Sequence, residues 1–411
     1  MSTGPVRLAI VGGGRGAAFL KVLAPLSDKL RLVAFCDMRE ELIAMWKEQK
    51  PDLLTFASYE KLLDCPDVDA VFLATPFTVH AHQAIQALRA GKHVLSEVIA
   101  TTTIEESWAL VEAVEQSGLT YMMAENCLFT RSNMMVAQMA HSGVFGEISF
   151  AEGGYIHDVR HLQHHSDGTL TWRGRLRRDA NGMVYPTHSL GPIAHWLRIN
   201  KQNGDAFESM TCFVSKEVAN HHYFRELFGD KHPGASRDYW RQGDSAVALI
   251  KTRNGVLIQL RYDVKSARPI QAAHYGLQGA NGAYLTGRHK DEDPIVWIKG
   301  RSPGASPQRS SEPGAEWEPL WNYAEQYEHP AWQKWHTQAG QAGHGGSDFF
   351  VLDEFGSAIL ESRKPLIDVY DAVTWSSVFP LSVRSVQSQG KPVDFVDFNR
   401  QAAAGRPGSD A

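Results

Sequence analysis

Gly12, Gly14 and Ala17 follow the apolar run Val6–Val11 in the spacing G-x-G-x-x-A. Glycine at the first position allows a tight turn, and at the second it lets the backbone approach a pyrophosphate; the third small residue packs a new helix on its strand. Arg15 and Gly16 lie in the same turn, where a helix start offers free N–H groups to phosphate. A second apolar run, Leu32 to Phe35, ends near Asp37, which lies about twenty residues past the glycines, where a carboxylate takes ribose hydroxyls. Such a carboxylate repels a 2′-phosphate, so the pattern points to NAD over NADP. Arg39 is the one neighbour that argues the other way.

Other residues could move protons or grip an anion. Tyr185 and His188 stand three apart, on one face if that stretch is helical, and Pro186 and Thr187 suit a helix start. Imidazole titrates near neutral pH, which suits proton transfer, though such a histidine can equally cap a helix or fill a core. His157, His161, His164 and His165 have a spacing that suits metal on a helix, but no helix is evident there. A loop is the simpler reading, and no metal is expected. Arg173, Arg175, Arg177 and Arg178 form a basic run. Such runs are usually solvated, yet guanidinium forks also suit a carboxylate or sulfonate. His344 lies in the glycine-rich Gly343-His-Gly-Gly-Ser-Asp348, a turn before a helix that could hold phosphate or sugar.

These residues need elements to hold them. Short apolar runs at 6–11, 32–35, 69–75, 93–96 and 120–124 alternate with helical patterns at 40–49, 59–63, 80–90 and 103–116. That rhythm predicts a doubly wound parallel sheet with its ligand at the carboxyl ends of the strands. Beyond a linking helix at 131–141 the pattern changes to alternating strands, at 148–155, 210–214, 246–252, 256–262, 275–278, 283–286 and 295–298. Asn254-Gly255 marks a hairpin. Residues 301–318 read as a loop, and 348–363 and 371–388 as helices. The expected architecture is an α/β Rossmann domain over 1–127 and an α+β domain on a mainly antiparallel sheet over 128–399. A disordered tail over 400–411 completes it.

The 411 residues carry a net charge of −5, 43% hydrophobic and 21% charged residues, an ordinary globular balance that gives nucleic acid no support as a partner. No apolar run approaches a membrane span. Four scattered cysteines form no C-x-x-C pair, which excludes a cysteine zinc site and implies reduced thiols. With the fold beginning by Val6, the expected address is the cytoplasm.

Ile10 to Gly16 (IVGGGRG), 74–98 (ATPFTVHAHQAIQALRAGKHVLSEV) and 182–192 (GMVYPTHSLGP) together resemble the Gfo/Idh/MocA oxidoreductase superfamily over nearly the whole chain. Dehydrogenases of that superfamily carry Glu-Lys-Pro after the fourth strand, where this chain has Ser96-Glu97-Val98. Their Asp-x-x-x-His becomes Tyr185-Pro-Thr-His188. Both departures, with Glu125-Asn126, Tyr155-Ile-His-Asp158 and Gly343–Asp348, are similar to the NAD-dependent glycoside hydrolases typified by α-N-acetylgalactosaminidase; related branches act on sulfoquinovosides. The resemblance implies oxidation at the sugar C3, loss of the C2 proton and the C1 leaving group, water addition and re-reduction. It makes Tyr155 the base at C2 and His188 the acceptor of the C3 hydroxyl proton, with Tyr185 as a third catalytic residue. It places Thr75, Pro76, His80, Glu97 and Asn126 on NAD, and Glu125, Arg173, Arg175 and His344 on the sugar. The expected partner is a small glycoside, either an anionic hexoside or an α-N-acetylgalactosaminide, with copies of the chain associating through the second-domain sheet. An NAD-dependent sugar dehydrogenase and a non-catalytic NAD-binding sensor are the alternatives; Val98 in place of the lysine argues against the first, and Tyr155, Tyr185 and His188 against the second.

Overall fold

The apolar runs of the first third of the chain pair in parallel, in a computed structural model that describes residues 4–289, 292–304 and 314–399. Strands β1 (Val6–Val11), β2 (Leu30–Cys36), β3 (Leu54–Phe56), β4 (Ala70–Leu73), β5 (His93–Ser96) and β6 (Tyr121–Met123) form one sheet. Their order is β3-β2-β1-β4-β5-β6, the doubly wound arrangement. β4 is buried along its whole length, as a central parallel strand is when helices cover the sheet. The helix Ile104–Ser117 starts at a capping box, Thr103 Oγ1 accepting from Glu106 N at 3.1 Å and Glu106 Oε2 from Thr103 N at 3.3 Å. It stops at Gly118, where φ is +64°.

The strand order reverses between β1 and β4, and the ends of these two strands meet at Gly12. Gly12 has φ +98°, and a Cβ there would lie 2.7 Å from Ala74 O, so no larger residue fits. The single helix expected after the glycines is instead three short turns, Gly13–Gly16, Ala17–Phe19 and Ala24–Leu26. Pro25 in the last of these has no N–H for a continuing helix. The close helix–strand approach also falls elsewhere: a Cβ on Gly16 would collide with Ile10 Cγ2, so Gly16, and not Ala17, is the third small position.

The chain divides into two compact units. The first unit holds the chain up to Arg131, Pro330–Ser377 and the residues from Val396 on. Polar contacts explain why the late segment joins the parallel sheet: Lys29 Nζ donates to Ser357 Oγ at 2.8 Å and Tyr370 OH to Glu115 Oε1 at 2.6 Å. Ala100 N donates to Ser376 Oγ at 3.0 Å. The helix expected over 371–388 is two, Val369–Ser376 and Val378–Gln387. Pro380 accounts for the break, since its ring clashes with the carbonyl four residues back. The tail at 400–411 lies outside the described residues, as does 305–313 of the expected loop.

The second unit, Ser132–His329 with Val378–Phe395, is built on nine strands. They are β7 (Ile148–Ile156), β8 (Phe207–Val214), β9 (Ser245–Thr252), β10 (Leu257–Asp263), β11 (Gln271–Gly279), β12 (Gly282–Leu285), β13 (Ile295–Ile298), β14 (Glu318–Pro319) and β15 (Val393–Asp394). Their order is β14-β13-β12-β11-β7-β10-β9-β8-β15. Every pairing is antiparallel except β7 with β10, which run parallel and set Tyr155 opposite Tyr262. Along β9, Ala246, Ala248 and Ile250 point inward while Val247 and Leu249 are exposed. The inner face meets the helix Thr187–Trp196, whose Trp196 ring packs edge-on against Tyr275 and Tyr284, each at 5.6 Å. Among the described residues no helix is long and apolar enough to cross a membrane.

Candidate active site

In the first unit the glycine turn is tied to Asp37. Gly13 N donates to Asp37 Oδ2 at 2.7 Å, and Arg39 adds its backbone N–H at 2.9 Å and its Nε at 3.0 Å to Oδ1. Burial alone would raise the Asp37 pKa, but these donors hold it below the usual carboxylate range. Arg39, the possible 2′-phosphate ligand, is thus bound to the carboxylate. A Cβ on Gly14 would meet only the Arg39 guanidinium, at 3.8 Å, so the backbone is open there.

Thr75 and Pro76 follow β4. Thr75 Oγ1 donates to Gln83 Oε1 at 2.6 Å, and His80 is buried with its ring nitrogens 2.9 Å from Thr75 O and 3.0 Å from Ile99 O. Burial pulls the His80 pKa down. His80 therefore acts on the Thr75–Pro76 turn by holding backbone.

Arg15 joins the glycine turn to two carboxylates. Its Nε donates to Glu97 Oε1 at 2.7 Å and its Nη2 lies 3.4 Å from Asp348 Oδ1. Asp348 is wholly buried and also takes Asn126 Nδ2 at 2.9 Å and His344 Nδ1 at 2.9 Å. Burial opposes its ionisation, yet His344, Arg15 and Asn126 hold its pKa at about 2. With one amide edge fixed on Asp348, the buried Asn126 is left with an Oδ1 that has no partner in the protein. An orphaned buried acceptor costs about 1–3 kcal/mol, so a donor from a bound dinucleotide fits the position. Glu125 is fully buried beside it, with Oε1 accepting from Cys127 N at 3.0 Å. His344 is thus joined to the Arg15–Asn126 group through Asp348. In the sequence Asp348 only closes the glycine-rich turn before a helix; its position in the helix Ser347–Leu360 gives no hint of Arg15, 333 residues away. Asp348→Asn is expected to weaken NAD⁺ binding about tenfold, or about 1.4 kcal/mol, by releasing both Arg15 and Asn126. Titration calorimetry returning an unchanged Kd would show that the group does not serve the cofactor.

In the second unit Tyr155, Tyr185 and His188 come together. Tyr155 lies near the end of β7, and His188 and Tyr185 lie in and just before the helix Thr187–Trp196. The His188 ring centroid is 5.0 Å from both tyrosine rings, which are 5.8 Å from each other. Tyr155 OH is 3.1 Å from His157 Nδ1, and Tyr185 OH is 3.5 Å from His188 Nε2. Tyr275 OH holds the helix start by donating to His188 O at 2.5 Å.

The basic run forms the helix Trp172–Asp179, capped by Thr171. Arg175 is exposed and donates to Leu170 O at 2.7 Å, while Arg178 pairs with Asp179 at 2.7 Å. Arg177 is buried and donates from Nη2 to Tyr262 OH at 2.5 Å. In the sequence Arg177 is one of four arginines in a basic run with nothing to set it apart, and Tyr262 does not stand out. A helix expected at 172–179 would have paired Arg173 with Arg177 by i,i+4 spacing, but the stretch is too polar to announce one. His164 stacks among Tyr223, Phe224 and Phe228 rather than beside His157.

Comparison with known proteins settles the family. The description "Glycosyl hydrolase 109, C-terminal domain" matches residues 129–404, and the Gfo/Idh/MocA "Oxidoreductase family, NAD-binding Rossmann fold" matches 6–125. A glycosyl hydrolase family 109 protein of Solibacter usitatus is 32% identical over 410 residues, covering 97% of this chain and 89% of its own. The chain belongs to glycosyl hydrolase family 109. It is an NAD-dependent glycoside hydrolase on a Gfo/Idh/MocA fold. The family 109 relative from Shewanella oneidensis that is named alpha-N-acetylgalactosaminidase is 31% identical over 97% of this chain and 86% of its own. A levoglucosan dehydrogenase solved with NADH and levoglucosan shares the fold at TM-score 0.75 and 20% identity, covering 95% of this chain and 99% of that one.

Proposed function

We propose that the protein hydrolyses a hexoside with no net redox change. The sugar is oxidised at C3, loses its C2 proton and C1 leaving group, takes up water and is reduced again. The observation that carries this reading is the ring-to-ring cluster of Tyr155, Tyr185 and His188. Two phenols and an imidazole suit proton transfers, whereas ordinary glycosidic displacement rests on two carboxylates. When bound at the glycine turn, NAD⁺ supplies the reversible oxidation at C3. His188 takes the C3 hydroxyl proton, with Tyr185 holding its ring by the contact at Nε2. Tyr155 gives its phenol proton to His157, whose Nδ1 is in hydrogen-bond reach, and as the phenolate takes the C2 proton. Oxidation at C3 is what makes the C2 hydrogen acidic enough for a phenolate to remove. Val98 in place of a lysine leaves these rings to handle the protons.

The sugar is either an α-N-acetylgalactosaminide, as the name of the Shewanella relative has it, or an anionic hexoside of the sulfoquinovoside type. In the second unit Arg173 is the sugar-binding residue of this reading.

A panel of chromogenic hexosides tests it. Turnover should release free sugar without NADH accumulating, and reducing the bound cofactor beforehand should stop it. NADH rising in step with product would restore the sugar dehydrogenase. NAD binding with no turnover of any glycoside or free sugar would leave the sensor.

A further inference from the structure

Among the described residues, two of the four arginines in the helix Trp172–Asp179 have no counter-charge. Arg173 and Arg177 are one turn apart and so share a face. Arg177 is 5% exposed, its Nη2 bonded to Tyr262 OH and its Nε and Nη1 without a partner. Arg173 is half-buried, its guanidinium 4.4 Å from the Trp172 ring, and among the described residues no carboxylate pairs with either arginine. Burial and the neighbouring Arg177 cation pull the Arg173 pKa down, while Tyr185 and Tyr155 lie near enough to oppose that. Two acids beside Tyr262 and Lys265 are engaged elsewhere. Asp263 accepts from Ser245, Ser266 and the Lys265 backbone, and Asp244 lies 3.4 Å from Lys265 Nζ. Leaving a buried charge uncompensated costs several kcal/mol, and two adjacent cations add their own repulsion. A ligand anion would relieve both.

We propose that the face of this helix carrying Arg173 and Arg177 is a subsite for an anionic substituent of the sugar, a carboxylate or a sulfonate. This rests on the glycosidase reading above and names its substrate class. The roles divide by exposure. Arg173, the more accessible, makes the contact. Arg177 acts from behind through its field, and its bond to the Tyr262 oxygen leaves the Tyr262 proton free to donate to the same anion. C1, C2 and C3 are committed to the reaction, which leaves C4 to C6, and a carboxylate or sulfonate ending the sugar's carbon chain falls at C6.

The test uses 4-nitrophenyl hexosides carrying a C6 carboxylate, a C6 sulfonate, a neutral C6 hydroxymethyl group, or a neutral 2-acetamido group. kcat/KM should favour an anionic glycoside over both neutral ones by about a hundredfold, the two anionic arms deciding between carboxylate and sulfonate. Arg177→Met should cut that ratio at least tenfold through KM, and Arg177→Lys, which keeps the charge, should retain most of it. Equal losses on anionic and neutral substrates, or a wild-type preference for a neutral glycoside, overturn the subsite while leaving the glycosidase standing. Calorimetry with free hexuronate, 6-sulfonate sugar and neutral hexose covers the converse. Preferential binding of an anionic sugar, lost in Arg177→Met, with no glycoside cleaved would uphold the subsite and sink the glycosidase. Equal binding of all three sugars overturns the subsite.

Discussion

Replacing Tyr155 by Phe is expected to slow glycosidic bond cleavage about a thousandfold, within the range for removing a general base. The substitution deletes one oxygen and leaves the ring. Contacts at 5.0 Å to His188 and 5.8 Å to Tyr185 are ring contacts and persist. Stability should therefore change little, and NAD⁺ binding, made by residues of the first unit, should stay near the parent value. The loss belongs to one bond in the sugar, that from C2 to its hydrogen. Turnover of the parent enzyme in deuterated water should place deuterium at C2 of the product, because a proton handed to Tyr155 exchanges before it returns. The C3 hydrogen should carry none. Tyr185 complicates the mutant, since a second phenol nearby can substitute in part, but it does not complicate the isotope. Product without deuterium at C2 by NMR would end the elimination mechanism here, whatever Tyr155→Phe does to the rate.

Why some of this was legible before the structure and some was not comes down to range. β1, β4 and β5 are short apolar runs bounded by glycine or proline, and local composition is enough to find them. β3 is three residues long with Leu54 exposed, so no apolar pattern marks it. The helix Trp172–Asp179 contains four arginines and little apolar surface, and its stability comes from the Thr171 cap and from contacts made after folding. Distance along the chain hid still more. Asp348 meets Arg15 across 333 residues and Asn126 across 222. Residues 330–377 read as a continuation of the second domain because an apolar helix face does not say which sheet will cover it. Tyr262 becomes a neighbour of Tyr155 only through the one parallel pairing of an otherwise antiparallel sheet. The glycine fingerprint shows the same limit at short range. The spacing pointed to Ala17 as the third small position, while the collision awaiting a Cβ at Gly16 comes from Ile10, a contact that depends on how the broken helix turns.

The second large effect comes from a glycine with no chemistry of its own. Gly153→Ala is expected to cost at least about a hundredfold in kcat, as misplacing reacting groups by about 1 Å does. Gly153 lies on the inner face of β7, two residues before Tyr155, so both side-chain positions face the same way. A Cβ there would collide with the backbone oxygen of Ser189 and lie 2.9 Å from Ile193 Cδ1. Ile193 could shift its side chain; Ser189 O belongs to the helix that carries His188 and cannot yield without moving that helix. Tyr275 OH, which reaches His188 O from the neighbouring strand β11, resists the same movement. Overpacking of this kind costs about 1–3 kcal/mol of stability, and here the relief is a displacement of His188 away from Tyr155. Loss of kcat with a modest drop in melting temperature and unaltered NAD⁺ affinity is therefore the expected signature. Gly154→Ala makes the comparison: the three atoms nearest to a Cβ there all belong to the His274 side chain, and a half-buried imidazole can turn aside. If Gly153→Ala keeps full kcat, or if Gly154→Ala loses as much, the spacing between β7 and the His188 helix does not set the geometry of the reaction.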